Sequence, residues 1–196
     1  MNLPNKITMV RVILIPFFVV FMIVHFNLYV TDATPFVSSW SAWAAFITFV
    51  AASLTDALDG HIARSRGLVT DFGKFADPLA DKLLVTSAMI LFVEYGKIAA
   101  WVVIVIIARE FIISGFRMIA AEKGVVIAAG WWGKVKTAVT MVTLVFLLFV
   151  TAIGANDGSG TVIFIVEQVL IYLSCFLTIM SLIDYLVHNK GVITTF

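Results

Sequence analysis

The chain has 196 residues, of which 62% are hydrophobic and only 13% are charged. A soluble domain of this size usually carries about a quarter charged residues. The composition therefore excludes an ordinary soluble domain and predicts an integral membrane protein surrounded by lipid. The formal net charge of +1 excludes nucleic acid as a partner, because there is no basic excess to neutralise phosphates.

Six apolar stretches are long enough to cross the hydrocarbon core of a membrane, which takes about 20 helical residues. In chain order they are Ile7–Phe26, Trp40–Ala57, Pro78–Val93, Ile98–Ile119, Val135–Ile153 and Val162–Leu186. We therefore predict an all-α, multi-pass integral membrane protein with six transmembrane helices, forming a single domain over residues 1–196. Asn27–Ser39 and the glycine-rich Gly154–Gly160 are predicted to be loops.

The lysines and arginines predict how these helices are oriented. With the N-terminus in the cytoplasm, only Lys97 lies outside, and the other twelve cationic residues lie at or toward the cytoplasmic side. The twelve are Lys6, Arg11, Arg64, Arg66, Lys74, Lys82, Arg109, Arg117, Lys123, Lys134, Lys136 and Lys190. Because cytoplasmic segments carry an excess of positive residues, both termini are predicted to be cytoplasmic, with the protein in the cell membrane.

Four aspartates lie around the end of the second span and the start of the third. Asp56 and Asp59 are three residues apart, and Asp77 and Asp81 are four residues apart. Either spacing places a pair on one face of a helix. The short Ser65–Phe72 segment makes the two spans antiparallel neighbours, so both pairs are predicted to converge at one membrane depth.

Convergence of four carboxylates predicts divalent metal ions. Without partners the carboxylates would repel one another, and charges near hydrocarbon are costly. Oxygen ligands with no cysteine or histidine cluster favour Mg²⁺ or Mn²⁺, and two such ions suit phosphoryl chemistry. Gly60, Ala63 and Gly73 are small enough to let a bulky ligand approach the backbone. A single intramembrane aspartate could instead serve a proton relay or helix pairing.

These residues follow the pattern D-x2-D-G-x2-A-R-x8-G-x3-D-x3-D without a gap. The matching positions are Asp56, Asp59, Gly60, Ala63, Arg64, Gly73, Asp77 and Asp81. The pattern resembles the signature of the CDP-alcohol phosphotransferases, which are six-span membrane dimers. The resemblance implies that an alcohol attacks the β-phosphorus of a CDP-lipid such as CDP-diacylglycerol and releases CMP at a site facing the cytoplasm. It also implies a homodimer.

The resemblance further implies a role for each residue. Asp56, Asp59 and Asp77 would hold one metal ion, and Asp56, Asp77 and Asp81 would hold a second. Asp81 would also be the general base that takes the proton from the acceptor hydroxyl. The residues expected to contact the CDP-lipid are Asn5, Thr8, Gly60, Ala63, Arg64, Thr70 and Gly73.

A cluster of cationic residues in and after the fourth span predicts a phosphorylated acceptor. Arginines in an apolar span are costly unless they face a polar cavity or an anionic partner, and a phosphate would be such a partner. We predict that Arg117 and Lys134, and then Arg109, bind the acceptor phosphate, which favours glycerol 3-phosphate or inositol phosphate. The alternative is that Arg109 pairs with a glutamate or reaches the interface, and that Lys134 and Lys136 are ordinary interfacial charges.

Three flanking stretches refine the acceptor. NLPNKITMVR, AREFIISGFRMIAAEKG and GWWGKVKT resemble the members of the family that act on glycerol 3-phosphate, so this acceptor is expected. An inositol phosphate acceptor is the alternative within the family. A cation transporter is the alternative from a different class, but it predicts carboxylates at mid-membrane and broken helices, whereas these aspartates lie at span ends.

Overall fold

The computed structural model describes residues 3–30, 35–66, 71–122, 130–154 and 161–189, with side chains for 9–28, 39–55, 79–80, 82–121, 130–154 and 161–189. This part of the chain is helical, which confirms the predicted all-α class. The six helices are α1 (Leu3–Val30), α2 (Pro35–Arg66), α3 (Asp71–Glu94), α4 (Ala100–Glu122), α5 (Trp131–Ala152) and α6 (Thr161–His188).

The helices follow the predicted order but extend beyond the predicted spans. α1 continues to Val30 and α2 begins at Pro35, so the two ends of the predicted loop Asn27–Ser39 are helical and its predicted bounds were wrong. Residues 31–34 lie outside the described residues. α3 likewise begins at Asp71, ahead of the predicted start at Pro78. α2 has 32 residues and is therefore about 48 Å long, compared with about 30 Å for a hydrocarbon core. An apolar stretch indicates only the part of a helix that lies in lipid, whereas the helical hydrogen bonding continues beyond that part.

Among the residues whose side chains are described, three helical segments are long and apolar enough to cross a membrane, namely Met9–Leu28, Trp131–Ala152 and Thr161–His188. Ser39–Thr55 is a shorter apolar run on α2. α4 carries Arg109, Glu110 and Arg117 within its length, so its apolar stretch is interrupted. The structure thus describes an all-helical membrane protein, and the six-span arrangement stays a prediction.

α6 has an inverted distribution of side chains that suits lipid. Most of its buried residues follow alternating steps of four and three from Glu167 to Tyr185, and Cys175 and Leu177 are buried between them. Glu167, Ser174, Thr178 and Ser181 are polar or charged members of this buried set, and Cys175 is a weakly polar one. Its exposed residues include Phe164, Val169, Phe176 and Ile183. In water this arrangement would be unfavourable, whereas in lipid the apolar side chains face a matching solvent and the polar ones bond between helices.

The described helices form two compact units. The first consists of Met1–Tyr95 and Leu144–Ser159, and the second of Gly96–Thr143 and Gly160–Phe196. α5 therefore starts in the second unit and ends in the first. The prediction of a single domain over the whole chain stays a prediction.

In the first unit α1 packs along α2 in the opposite direction. The ring centroids of Phe18 and Phe49 are 5.3 Å apart, and those of Phe21 and Trp40 are 6.4 Å apart. A later residue of α1 thus meets an earlier residue of α2, which makes the two helices antiparallel. The first residues of α1 and the last residues of α2 consequently lie at the same end of this unit.

α1 and α3 run in the same direction. His25, near the end of α1, stacks on Tyr95, which follows the last residue of α3, with ring centroids 5.7 Å apart. The opposite end of the first unit is therefore formed by the starts of α1 and α3 and the end of α2. This is the end that carries the predicted aspartates.

In the second unit α4 and α6 are parallel, and α5 is antiparallel to them. Lys97 just before α4 pairs with Glu167 early in α6 at 2.7 Å, and Arg109 bonds to Ser181 later in both helices. The hydroxyls of Thr143 on α5 and Ser174 on α6 are 2.9 Å apart. The end of α4, the start of α5 and the end of α6 thus share one end of the unit.

The Lys97–Glu167 ion pair joins the start of α4 to the start of α6. The side chains of Lys97 and Glu167 are 14% and 8% exposed. Because both charges are largely withdrawn from water, each depends on the other for its electrostatic stabilisation.

We expect Glu167→Gln to destabilise the protein, because Lys97 would keep its charge without a carboxylate beside it. The loss should be about 2 kcal/mol, below the full cost of an unpaired buried charge because Lys97 keeps some exposure. That corresponds to a fall of about 4–8 °C in the unfolding midpoint, measurable by intrinsic fluorescence in detergent.

The control for this prediction is Glu94→Gln, which neutralises an exposed glutamate at the end of α3. It should leave the midpoint unchanged. A Glu167→Gln midpoint equal to that of the unaltered chain would contradict the stabilising role of the pair.

Candidate functional site

The two aspartate pairs lie on helical backbone at matching distances from the α2–α3 connection. Asp59 is seven residues before the last residue of α2, and Asp77 is six residues after the first residue of α3. Asp56 and Asp81 are each ten residues from those same helix ends. At a rise of 1.5 Å per residue, the pairs lie about 10 and 15 Å along their helices. The antiparallel helices therefore place the two pairs at similar heights.

The side chains of these four aspartates lie outside the part of the chain that the structure describes. Among the side chains it does describe, no group of three or more histidine, cysteine, aspartate or glutamate residues could hold a metal ion. Four carboxylates at matching backbone heights are a donor set that fits Mg²⁺ or Mn²⁺. Their ligand and base roles stay predictions.

The residues predicted to contact a CDP-lipid belong to the same end of the first unit. Asn5 and Thr8 lie on the first turns of α1, Gly60, Ala63 and Arg64 on the last turns of α2, and Gly73 on the first turn of α3. Their side chains, and Thr70 altogether, lie outside the described residues. The backbone thus brings three helix ends together at one end of this unit, and the contacts of these residues with a CDP-lipid stay predictions.

Arg11 is a buried cation at this end to which the sequence pattern gave no role beyond topology. Its side chain is 0% exposed. Arg11 lies seven residues before Phe18, and Asp56 lies seven residues after its partner Phe49. Because α1 and α2 are antiparallel, Arg11 and Asp56 lie at the same height. The sequence signal that could have indicated a buried role for Arg11 is its place inside an apolar run, where a charge is costly.

In the second unit, Arg109, Glu110, Lys136 and Ser181 form a polar group that we call the Arg109 cluster. Nη1 of Arg109 donates to Oε1 of Glu110 at 2.8 Å, and Nη2 donates to the hydroxyl of Ser181. Lys136 donates to the same Oε1 of Glu110. Residues from α4, α5 and α6 are therefore joined through one guanidinium and one carboxylate.

Arg109 and Lys136 are both inside the unit rather than at its surface. Arg109 is 8% exposed and Lys136 is 4% exposed. The alternative that Arg109 pairs with a glutamate is confirmed, whereas the alternative that Lys136 is an ordinary interfacial charge is wrong. The physical reason is that the carboxylate of Glu110 offsets both buried charges. Pairing does not use the whole guanidinium, because Nε of Arg109 has no hydrogen-bond partner among the described residues.

Arg117 and Lys134, the other two candidates for the acceptor phosphate, are exposed. The guanidinium carbon of Arg117 lies 5.9 Å from the ring centroid of Tyr185 on α6, a cation–π arrangement. Tyr185 is buried, and its hydroxyl has no partner in the described part of the chain. Arg117 lies eight residues after Arg109 on α4, about 12 Å further toward the end of the helix.

Gly133 on α5 lies beside Arg109 and Ser181. A Cβ atom at this position would lie 3.4 Å from Nη2 of Arg109 and 3.7 Å from Oγ of Ser181. Both distances are ordinary van der Waals contacts, so α5 approaches these two groups closely at this residue. Neither Gly133 nor Ser181 was predicted from the sequence, since a glycine near a helix start and a serine in an apolar helix are ordinary.

Comparison with known proteins identifies the family of the chain. A family model described as CDP-alcohol phosphatidyltransferase matches residues 1–180. A Bacillus subtilis (strain 168) protein named CDP-diacylglycerol–glycerol-3-phosphate 3-phosphatidyltransferase is 41% identical over 197 aligned residues, covering 99% of this chain and 98% of its own.

Two further proteins carry the same printed name. The Haemophilus influenzae (strain ATCC 51907 / DSM 11121 / KW20 / Rd) protein is 38% identical over 97% of this chain and 94% of its own length. The Escherichia coli (strain K12) protein is 41% identical over 94% of this chain and 93% of its own length. Matches of this extent leave no large part of the chain unaccounted for, and the chain belongs to the CDP-alcohol phosphatidyltransferase family.

Proposed function

We propose that this chain is a membrane enzyme that transfers the phosphatidyl group of CDP-diacylglycerol to glycerol 3-phosphate, giving phosphatidylglycerol phosphate and CMP. The observation that carries the proposal is the similarity, at 38–41% identity and over nearly the whole chain, to proteins named for this reaction. The aspartate pairs at matching heights on α2 and α3 supply the chemistry that the reaction needs.

The proposed topology has six transmembrane helices, both termini in the cytoplasm and the active site facing the cytoplasm, in the cell membrane. Helix directions support it, because α1 and α3 are parallel to each other and antiparallel to α2, and the second unit alternates in the same way. Lys97 is the one cation proposed to lie outside, and its contact with Glu167 offsets its charge.

Asp56, Asp59, Asp77 and Asp81 would hold two Mg²⁺ or Mn²⁺ ions, which neutralise the pyrophosphate and the developing charge on CMP when bound. Mg²⁺ and Mn²⁺ are compatible with an all-carboxylate set because both prefer oxygen ligands. Arg64 would contact a phosphate through its guanidinium. The small residues Gly60, Ala63 and Gly73 leave room for the nucleotide, with Asn5, Thr8 and Thr70 as further contacts.

In the proposed reaction the acceptor hydroxyl oxygen forms a bond to the β-phosphorus, and the bond from that phosphorus to the CMP oxygen breaks. Asp81 takes the proton of the hydroxyl as general base. The electron pair of the broken bond leaves with CMP. Atoms and charge therefore balance without any further reactant.

The acceptor phosphate would bind to Arg117, Lys134 and Arg109. The support is that Arg117 and Lys134 are exposed, so a soluble anion can reach them, and that Arg109 keeps a buried Nε without a partner among the described residues. An anion that accepts from several arginine and lysine donors is held more strongly than by a single contact. The proposed assembly is a homodimer, as the family resemblance implies.

The test is CMP release by purified protein in detergent with CDP-diacylglycerol and Mg²⁺ or Mn²⁺. Glycerol 3-phosphate, inositol phosphate and serine are supplied in parallel reactions, and EDTA removes the metal in a further one. Metal-dependent CMP release with glycerol 3-phosphate alone is expected. Release with inositol phosphate instead would change the acceptor. No release from folded protein would overturn the proposal and return attention to cation transport.

Asp81→Asn is expected to lower kcat by at least about 100-fold, because the amide cannot take the proton from the acceptor hydroxyl. Binding of CDP-diacylglycerol should stay largely intact, since three aspartates remain. Turnover is followed by CMP release, and lipid binding is followed separately by equilibrium dialysis against labelled CDP-lipid.

The matched control is Asp71→Asn, the same substitution at the first residue of the same helix. It should turn over at close to the original rate. Normal turnover in Asp81→Asn would remove Asp81 from the role of base, whereas loss of CDP-lipid binding would make it primarily a ligand.

Arg117→Ala is expected to raise the KM for glycerol 3-phosphate by about tenfold with a smaller effect on kcat, as loss of ground-state binding should. The KM of Arg117→Lys should fall between those of the unaltered chain and Arg117→Ala, since lysine keeps the charge but not the planar guanidinium. The KM for CDP-diacylglycerol serves as the internal control and should not change. An unaltered acceptor KM would place the phosphate site elsewhere.

A further inference from the structure

The guanidinium of Arg109 is fixed from two sides by protein groups. One terminal nitrogen donates to the Glu110 carboxylate on its own helix, and the other donates to the Ser181 hydroxyl on α6. Two contacts of this kind define the plane of the guanidinium as well as its position. The remaining nitrogen, Nε, is buried and has no partner in the described part of the chain. A ligand that reached the edge of the guanidinium that includes Nε would supply the hydrogen-bond partner that this nitrogen lacks.

The Arg109 cluster lies deep along the helices. Arg109 is nine residues after the first residue of α4, or about 14 Å along the helix, compared with a hydrocarbon core of about 30 Å. Rotamer changes of a charged side chain at such a depth are restricted, because its hydrogen bonds cannot be replaced by bulk water. A fixed orientation at this place has to come from the neighbouring side chains.

We propose that Glu110 and Ser181 are positioning residues that orient Arg109 so that its Nε edge meets the phosphate of the acceptor. Glu110 also holds the Lys136 ammonium close to the same guanidinium. Neither Glu110 nor Ser181 contacts the acceptor in this scheme, and both act through Arg109. The inference rests on the proposed function, since it names how the acceptor site of that reaction is held in shape.

Glu110 could affect acceptor binding through its charge or by orienting Arg109, and the two effects predict opposite changes in the acceptor KM. A carboxylate beside Arg109 and Lys136 repels an anionic acceptor, so simple electrostatics predicts that removing its charge improves acceptor binding. If Glu110 instead orients Arg109, removing its charge weakens the hydrogen bond that holds the guanidinium, because an amide oxygen accepts less strongly than a carboxylate, and acceptor binding is weakened in turn. The sign of the change in the acceptor KM therefore distinguishes the two effects.

The first experiment compares Glu110→Gln with Glu167→Gln in the CMP-release assay. Both substitutions neutralise a glutamate paired with cations in the second unit, so both are expected to lower thermal stability. Only Glu110→Gln should raise the KM for glycerol 3-phosphate, by about tenfold, with the KM for CDP-diacylglycerol unchanged. Glu167→Gln should keep both KM values.

The second experiment tests the same orientation without changing any charge. Ser181→Ala removes the contact to Nη2 of Arg109. The control is Ser174→Ala, seven residues earlier than Ser181 on α6, which removes a buried hydroxyl contact to Thr143 on α5. Ser181→Ala should raise the acceptor KM about threefold, in keeping with the loss of one hydrogen bond. Ser174→Ala should leave the acceptor KM unchanged.

Each outcome decides for or against the inference. A lower acceptor KM in Glu110→Gln would show that the charge of Glu110 only repels the phosphate. If the acceptor KM were the same in the two variants of each matched pair, Glu110 and Ser181 would contribute only to helix packing. Either result overturns the inference while the unaltered protein still releases CMP with glycerol 3-phosphate. Failure of the unaltered protein to do so would overturn the proposed function instead.

Discussion

The interior of a membrane offers no water to a charged or polar side chain, and this constraint governs the arrangement of the described helices. Each unsatisfied group costs free energy that protein partners must offset. In the second unit several buried polar groups therefore face one another across α4, α5 and α6, in the Arg109 cluster and in the Thr143–Ser174 contact. Many exposed positions carry large apolar side chains. The positions of Arg109 and Lys136 are consequently set by the need for partners.

The sequence predicted the helical class and the order of the helices because lipid imposes a minimum apolar length that can be counted. It did not predict the helix ends, since backbone hydrogen bonding continues beyond the apolar stretch, as at Val30 and Asp71. The aspartate pairs were predictable because their spacing is local to each helix. Arg109 and Ser181 are 72 residues apart in the chain, so their contact depends on how α4 and α6 align, which no local spacing encodes.

The two units arrange their polar residues differently. In the first unit, three helix ends carry the predicted metal and nucleotide residues on backbone at matching heights. In the second, a carboxylate shared between a guanidinium and an ammonium holds two cations close together part-way along the helices. In the proposed reaction the first arrangement would bind metal ions, and the second would bind the phosphate of the acceptor.

α4 and α6 are joined at two heights, by Lys97 with Glu167 near their starts and by Arg109 with Ser181 further along. A rotation of α6 by one residue, about 100°, would break both contacts together, and so would a slide of one turn, about 5.4 Å. Any rotation or sliding of α4 against α6 would therefore have to break both contacts at once, which opposes such movement within this unit.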